Sequence, residues 1–125
     1  LEKRYSDLPE KTVAGQQFPA SYKYFRDFET GVEYQLTHTA ALLAVGLLML
    51  HYPAKLLSAA AWCFTGGIVF FSGSLYVLVI LGPRAGGIPW GAVAPIGGTL
   101  QLLGWLTLAV AAVRLPTKSG SAGRT

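Results

Sequence analysis

Beyond Glu33 the sequence has no acidic residue, and three long stretches carry no charge of either sign: Tyr34–Ala54, Leu56–Pro83 and Ala85–Val113. Each holds an apolar core close to the ~20 residues an α-helix needs to cross ~30 Å of hydrocarbon. Only 13% of residues are charged and 52% are hydrophobic, against about 25% charged in an average soluble domain. In water, 125 residues cannot bury helices that are apolar all round. The scarcity of charge excludes an ordinary water-soluble fold and predicts an all-α integral membrane protein.

Cysteine is nearly absent. Cys63 stands alone, which rules out an intrachain disulfide and a cysteine-pair metal site, and it reads as a small apolar packing residue. All six acidic residues lie in the segment ending at Glu33, together with five of the ten basic ones. The other five (Lys55, Arg84, Arg114, Lys118 and Arg124) fall in short loops and the tail, where span-flanking cations serve anchoring and topology. They form no aromatic-and-basic groove, so no nucleic-acid partner is predicted. No acid or lysine sits in the hydrocarbon interior of a span, which argues against a proton relay or ion pathway.

Catalytic templates are missing as well. Ser72-Gly73-Ser74 lies in mid-span without an acid partner, so it is not a nucleophile elbow. Gly66-Gly67 and Gly97-Gly98 lie inside membrane helices and cannot be phosphate loops. His38 and His51 are separated by 13 residues, ~20 Å along one helix, and no Cys/His/Asp/Glu cluster completes a metal site. The expectation is a protein that is not an enzyme and carries no metal or cofactor.

What remains organises the chain. Residues 1–21 mix charge with Pro9, Gly15 and Pro19 and read as a polar loop. Over 22–33, Phe25, Phe28, Val32 and Leu36 recur at helical spacing opposite Arg26, Asp27, Glu29 and Glu33. This predicts an interfacial amphipathic helix, with Gly31 as a bend into the membrane. Three transmembrane helices are predicted near 34–52, 57–81 and 95–113, bounded by Pro53, Gly82-Pro83 and Arg114, the third opening on Pro95. Together 34–113 make a three-helix transmembrane domain, and 114–125 a disordered polar tail. The N-terminal segment and the Arg84 loop are assigned to the cytoplasmic side.

Between helices in lipid, small residues and hydrogen bonds supply much of the association. Gly97, Gly104 and Ala111 repeat every seventh residue, with Gln101 and Leu108 on the same stripe. The second span offers Gly66, Gly73 and Ser74 among its small residues. These predict a tight antiparallel pair, with Gln101 hydrogen-bonded across the interface. Ser72, Ser74 and Thr65 are its candidate partners. Hydroxyls elsewhere are expected to bond their own helix backbone. His38, about one turn into the first span, is read as a structural histidine near the membrane interface. His38, Gln101 and Ser72 also make the candidate polar site, should the spans enclose a polar gap.

Three ordered segments carry a resemblance: FETGVEYQLTHTAALLAVGLL (Phe28–Leu48), FSGSLY (Phe71–Tyr76) and APIGGTLQLLGWLTLA (Ala94–Ala109). They are similar to the family of small membrane proteins known as domain of unknown function 423, which includes YgdD-like and transmembrane protein 256-like chains. The resemblance covers about Phe28–Val113 and implies packing and interface residues rather than catalytic ones. That family has four membrane helices, and LEKRYSDLPEK resembles the loop after its first, so the resemblance implies a chain lacking that helix. It also implies a bacterial plasma membrane, with a eukaryotic organelle membrane as the other compartment.

The functional expectation is a non-enzymatic accessory or scaffold component that acts by helix packing. Its partners would be the lipid bilayer and a membrane protein or a second copy of itself. The alternative is a transport or small-ligand-binding membrane protein.

Overall fold

A computed structural model describes residues 7–116. The polar segment is more ordered than a loop: β1 (Lys11–Val13) pairs antiparallel with β2 (Gln16–Phe18). Ala14 and Gly15 close the hairpin with φ of 51° and 80°, the left-handed pair that a two-residue turn matched to strand twist requires. Asn-Gly is the usual signal for such a turn, and Ala in the first position hides it. Lys11 donates a 2.8 Å hydrogen bond to the Tyr24 hydroxyl, and Phe18 stacks on Tyr22 at 5.3 Å. These contacts fasten the hairpin to the first helix. Residues 1–6 and the part of the tail at 117–125 lie outside the described residues.

Three long helices follow: α1 (Ala20–His51), α2 (Lys55–Leu81) and α3 (Trp90–Arg114). The expected interfacial helix is not a separate element, because residues 22–33 are the first half of α1. Gly31 does not break it: a Cβ there would lie 2.9 Å from the Tyr76 ring, so this glycine serves close approach to α2 rather than a bend. The expected stripe divides: Phe25 and Leu36 face outward, 50% and 66% exposed, while Phe28 is half-buried and packs against the Tyr24 cluster. The buried line is Tyr24, Gly31, His38, Ala41 and Val45. With 32 residues, α1 is about 48 Å long, and its charged residues all precede Tyr34.

α2 starts and ends within two residues of expectation. α3 begins at Trp90, five residues before Pro95, which therefore sits inside the helix. The first four N–H groups of a helix have no intrahelical partner, so a proline in the second turn removes a single ladder bond. Gly82, at φ 111°, ends α2. The loop is closed by Trp90, whose backbone N–H reaches the Pro83 carbonyl at 3.2 Å and whose indole reaches the Ala85 carbonyl at 2.9 Å.

α1 and α3 both pack on α2 and touch each other little. The α2–α3 seam is antiparallel and dictated by missing side chains. A Cβ on Gly97 would collide with the backbone of Phe70 and Phe71, and one on Gly104 would lie 2.7 Å from the Phe64 ring. Ala94, Gly97, Gln101, Gly104 and Ala111 are the buried residues of α3, so the seven-residue stripe is the contact.

On α2 the small residue at the seam is Gly67, where a Cβ would sit 2.5 Å from Gln101 Cγ. The predicted Gly66 also faces α3, against the Leu100 side chain at 3.3 Å, whereas Gly73 has nothing within 4 Å. α2 carries two seams, one for each neighbour, and composition alone does not show which glycine serves which.

Apolar burial falls into two clusters. One joins Ala41, Val45, Leu57, Ala60, Phe64 and Ala111; the other joins Ala20, Tyr24, Leu78 and Val79. On α2 the stretch between them contains Gly67 and the buried Ser72 and Ser74.

Gly97 in the α2–α3 seam and the idle Gly73 separate in a stability test. Gly97→Ala must displace backbone and is expected to cost about 1–3 kcal/mol, the usual range for overpacking. Gly73→Ala should be neutral or stabilising by up to about 1 kcal/mol through helix propensity. Thermal unfolding in detergent checks both, and equal losses at the two positions would refute the assignment of the seam.

Candidate functional site

Level with the middle of α2, polar and aromatic residues from all three helices converge. His38 comes from the buried line of α1, Phe64 and Phe71 from α2, and Gln101 and Trp105 from α3. His38 is 6% exposed and Gln101 2%. Rings line up around the histidine: Tyr34 at 5.8 Å, Phe64 at 5.7 Å and Trp105 at 6.1 Å between centroids. Phe64 meets Trp105 edge-on at 5.2 Å, and Tyr34 lies 4.5 Å from Phe71.

Two hydrogen bonds fix the state of His38. Nδ1 lies 2.8 Å from the Tyr34 carbonyl, and the Trp105 indole N–H lies 3.2 Å from Nε2. A carbonyl only accepts and an indole only donates. The ring is therefore the neutral tautomer with hydrogen on Nδ1, giving one bond and receiving the other. Neither nitrogen has a free lone pair for a metal, and among the described residues no group of three His, Cys, Asp or Glu side chains could hold one. His38 is thus bonded to the backbone of its own helix and to a side chain of a neighbouring one. Within the bundle the ring lies 5.7 Å from Phe64, and the residue is 6% exposed. The Trp105 partner, 67 residues away, left no mark in local spacing.

Gln101 departs from expectation in the opposite sense. Its carboxamide nitrogen and oxygen are both buried and neither has a hydrogen-bond partner, and the same holds for the Ser72 hydroxyl. The other two proposed partners are engaged elsewhere: Thr65 bonds the Ala61 carbonyl and Ser74 the Phe71 carbonyl. Thr37, Thr99 and Thr107 likewise bond carbonyls four residues back, as expected of hydroxyls in membrane helices. A second interhelical bond, from the Tyr76 hydroxyl to Gln35 Oε1 at 2.6 Å, was not anticipated.

The gap between α1 and α3 is a cleft of about 340 Å³ lined by Tyr34, His38, Phe71, Gly98, Gln101, Leu102 and Trp105. It brings together His38 and Gln101 from the predicted polar set. Ser72 is buried but is not among the lining residues, so the three do not form one site.

A helical chain with two helices long and apolar enough to cross a bilayer, α2 and α3, belongs to the class of helical membrane proteins. Comparison with known proteins agrees. Residues 11–98 match a protein family of unknown function, DUF423, and the chain belongs to that family.

Its relatives include a UPF0382 membrane protein of Staphylococcus epidermidis, 38% identical over 80% of this chain and 78% of the relative. The UPF0382 membrane protein YwdK of Bacillus subtilis is 36% identical over 74% and 72% of the two chains. The inner membrane protein YgdD of Escherichia coli is 37% identical over 74% and 68%. No solved structure matches. The chain is thus an integral membrane protein of a bacterial membrane.

The His38–Trp105 bond can be measured directly. A double-mutant cycle with His38→Ala and Trp105→Phe should return a coupling of about 0.6–2 kcal/mol, the range for interhelical hydrogen bonds in membranes. Additive losses of thermal stability would mean that the bond contributes nothing.

Proposed function

We propose that this protein is a non-enzymatic accessory component of the bacterial membrane that works by presenting helix surfaces to a membrane-protein partner. In this reading three helices span the bilayer. The uncharged half of α1, 34–51, joins α2 and α3, and its charged half lies at the headgroup level beside the hairpin. The observation that carries the reading is the narrowness of the buried stripe on α3. Leu102, Leu106, Val110 and Val113 all remain exposed, a long apolar face for lipid or for another helix. Neither nitrogen of His38 is free for chemistry, which also favours a packing role.

Purification in mild detergent, with identification of co-migrating proteins, tests this. A stable heteromeric partner is expected, released by combined Leu102→Ala, Leu106→Ala and Val113→Ala substitutions that leave the isolated chain folded. A chain that purifies alone, or a partner indifferent to these changes, refutes the reading. Cysteine-accessibility labelling in a Cys63→Ala background checks that α2 crosses the membrane. Residue 54 and residue 86 should label from opposite sides of the membrane.

A second reading, small-ligand binding, is favoured by one specific observation. Gln101 lines a cleft of useful size with a buried amide that the protein itself leaves unpaired.

A further inference from the structure

We propose that the C-terminal end of α3 is a binding site for an anionic phospholipid of the phosphatidylglycerol class. Its phosphate sits on the Arg114 guanidinium and one acyl chain runs along Ala109, Val110 and Val113. The proposal goes beyond the partner reading above and rests only on α2 and α3 crossing the bilayer. It starts from cations without counter-ions. The chain has no Asp or Glu after Glu33, and Glu33 lies about 27 Å along α1 from the last residue of that helix, His51. Among the described residues, neither Lys55 nor Arg114 has an ion pair or a side-chain hydrogen bond.

Packing brings these two cations to one end of the bundle. Leu57 and Ala111 belong to a single apolar cluster, with Tyr52 and Ala54 packed against it. Lys55 precedes Leu57, and Arg114 follows Ala111, by less than one helical turn. The sequence beyond Arg114 adds Lys118 and Arg124 and no acid. A zwitterionic headgroup would bring an ammonium that no carboxylate at this end can receive. A phosphodiester carrying an uncharged alcohol brings negative charge alone, which is the complement of this surface.

The rest of the ligand follows from the groove beside Arg114. It has a volume of about 290 Å³ and is lined by Ala109, Val110, Val113 and Arg114. Val110 and Val113 are 45% and 87% exposed, and Arg114 is exposed in the last turn of α3. An apolar trough that ends at a guanidinium fits an oily chain attached to a phosphate; a free phosphate has nothing to lay in it. An arginine at a span end keeps its stem on apolar surface and its head at the membrane boundary. There its planar fork donates two parallel hydrogen bonds to two phosphate oxygens, while Lys55 adds charge to the same headgroup layer. Arg114 also complements the α3 dipole, but that interaction carries no preference among lipids.

Native mass spectrometry of the full chain in detergent, titrated with dioleoylphosphatidylglycerol or dioleoylphosphatidylcholine, tests this with identical acyl chains. The glycerol lipid is expected to bind at least about fivefold more tightly, the contribution of one cation beside an anionic headgroup. Arg114→Gln should cut the preference by about that factor. Arg84→Gln, in the α2–α3 loop at the other end of the bundle, should leave it unchanged. Ala109→Phe, which fills the groove, should weaken both lipids, and excess inorganic phosphate should displace neither. Equal binding of the two lipids by the wild-type chain overturns the proposal, as does a preference that survives Arg114→Gln. An equal loss on Arg84→Gln would mean diffuse attraction without a site, and displacement by phosphate would mean a site for soluble anions. The wild-type comparison decides even if a variant does not fold.

Discussion

The approach of α3 to the backbone of α2 at Gly97 is the contact on which the rest of the bundle depends. No side chain fits there, because a single added carbon would overlap the peptide between Phe70 and Phe71. Lipid tails are as apolar as leucine, so burial of oily surface does not by itself drive helices together in a membrane. Contact area at short range does, through dispersion that falls off steeply with distance. Gly97, Gly67 and Gly104 set that range. With α3 drawn in, Phe64 fills the space over Gly104, and Trp105 is carried to within hydrogen-bonding distance of α1.

The polar residues in the middle of the bundle divide into two kinds. His38 is fully used: its two nitrogens tie the α1 backbone to α3 through one ring, and a charged imidazolium could not accept the indole bond. Gln101 and Ser72 are buried even more fully and their side-chain polar atoms are not used at all. Buried polar groups are normally paired, and unpaired ones tend to mark a place where something else completes the structure. The two apolar clusters flank this zone and hold the helices together on either side of it. The bundle can thus carry an unsatisfied amide without coming apart.

Much of the helical organisation could be read from the chain, and the reasons for success and failure differ by residue. α2 and the stripe on α3 were legible because a run without charge and a strict seven-residue repeat are local signals. The continuity of α1 was hidden by its change of solvent: charged at Arg26 and Glu33, apolar from Leu36 onward, it resembles two elements while its backbone remains one helix. Gly73 was credited with the role of Gly67, since a central helix with two neighbours scatters small residues over more than one face. The pairing of His38 with Trp105 and the lack of any partner for Gln101 depend on how three helices are rotated against one another. That rotation is set by close packing at positions far apart in sequence.

The arrangement of the helices has a consequence for the order in which the molecule can be finished. Among the described residues, α2 supports both other helices, and it is made between them. α1 therefore waits for its support, and α3, made after α2, brings the Trp105 partner of His38 with it. Until Trp105 has emerged, the Nε2 atom of His38 has no donor, and the wall of the cleft formed by Gln101 does not exist. The short loop closed by Trp90 makes the final step nearly local, because little chain entropy is lost in folding α3 back onto α2. The histidine–indole bond across the bundle is then a late event in biogenesis, a latch that closes after both helical pairings are already made.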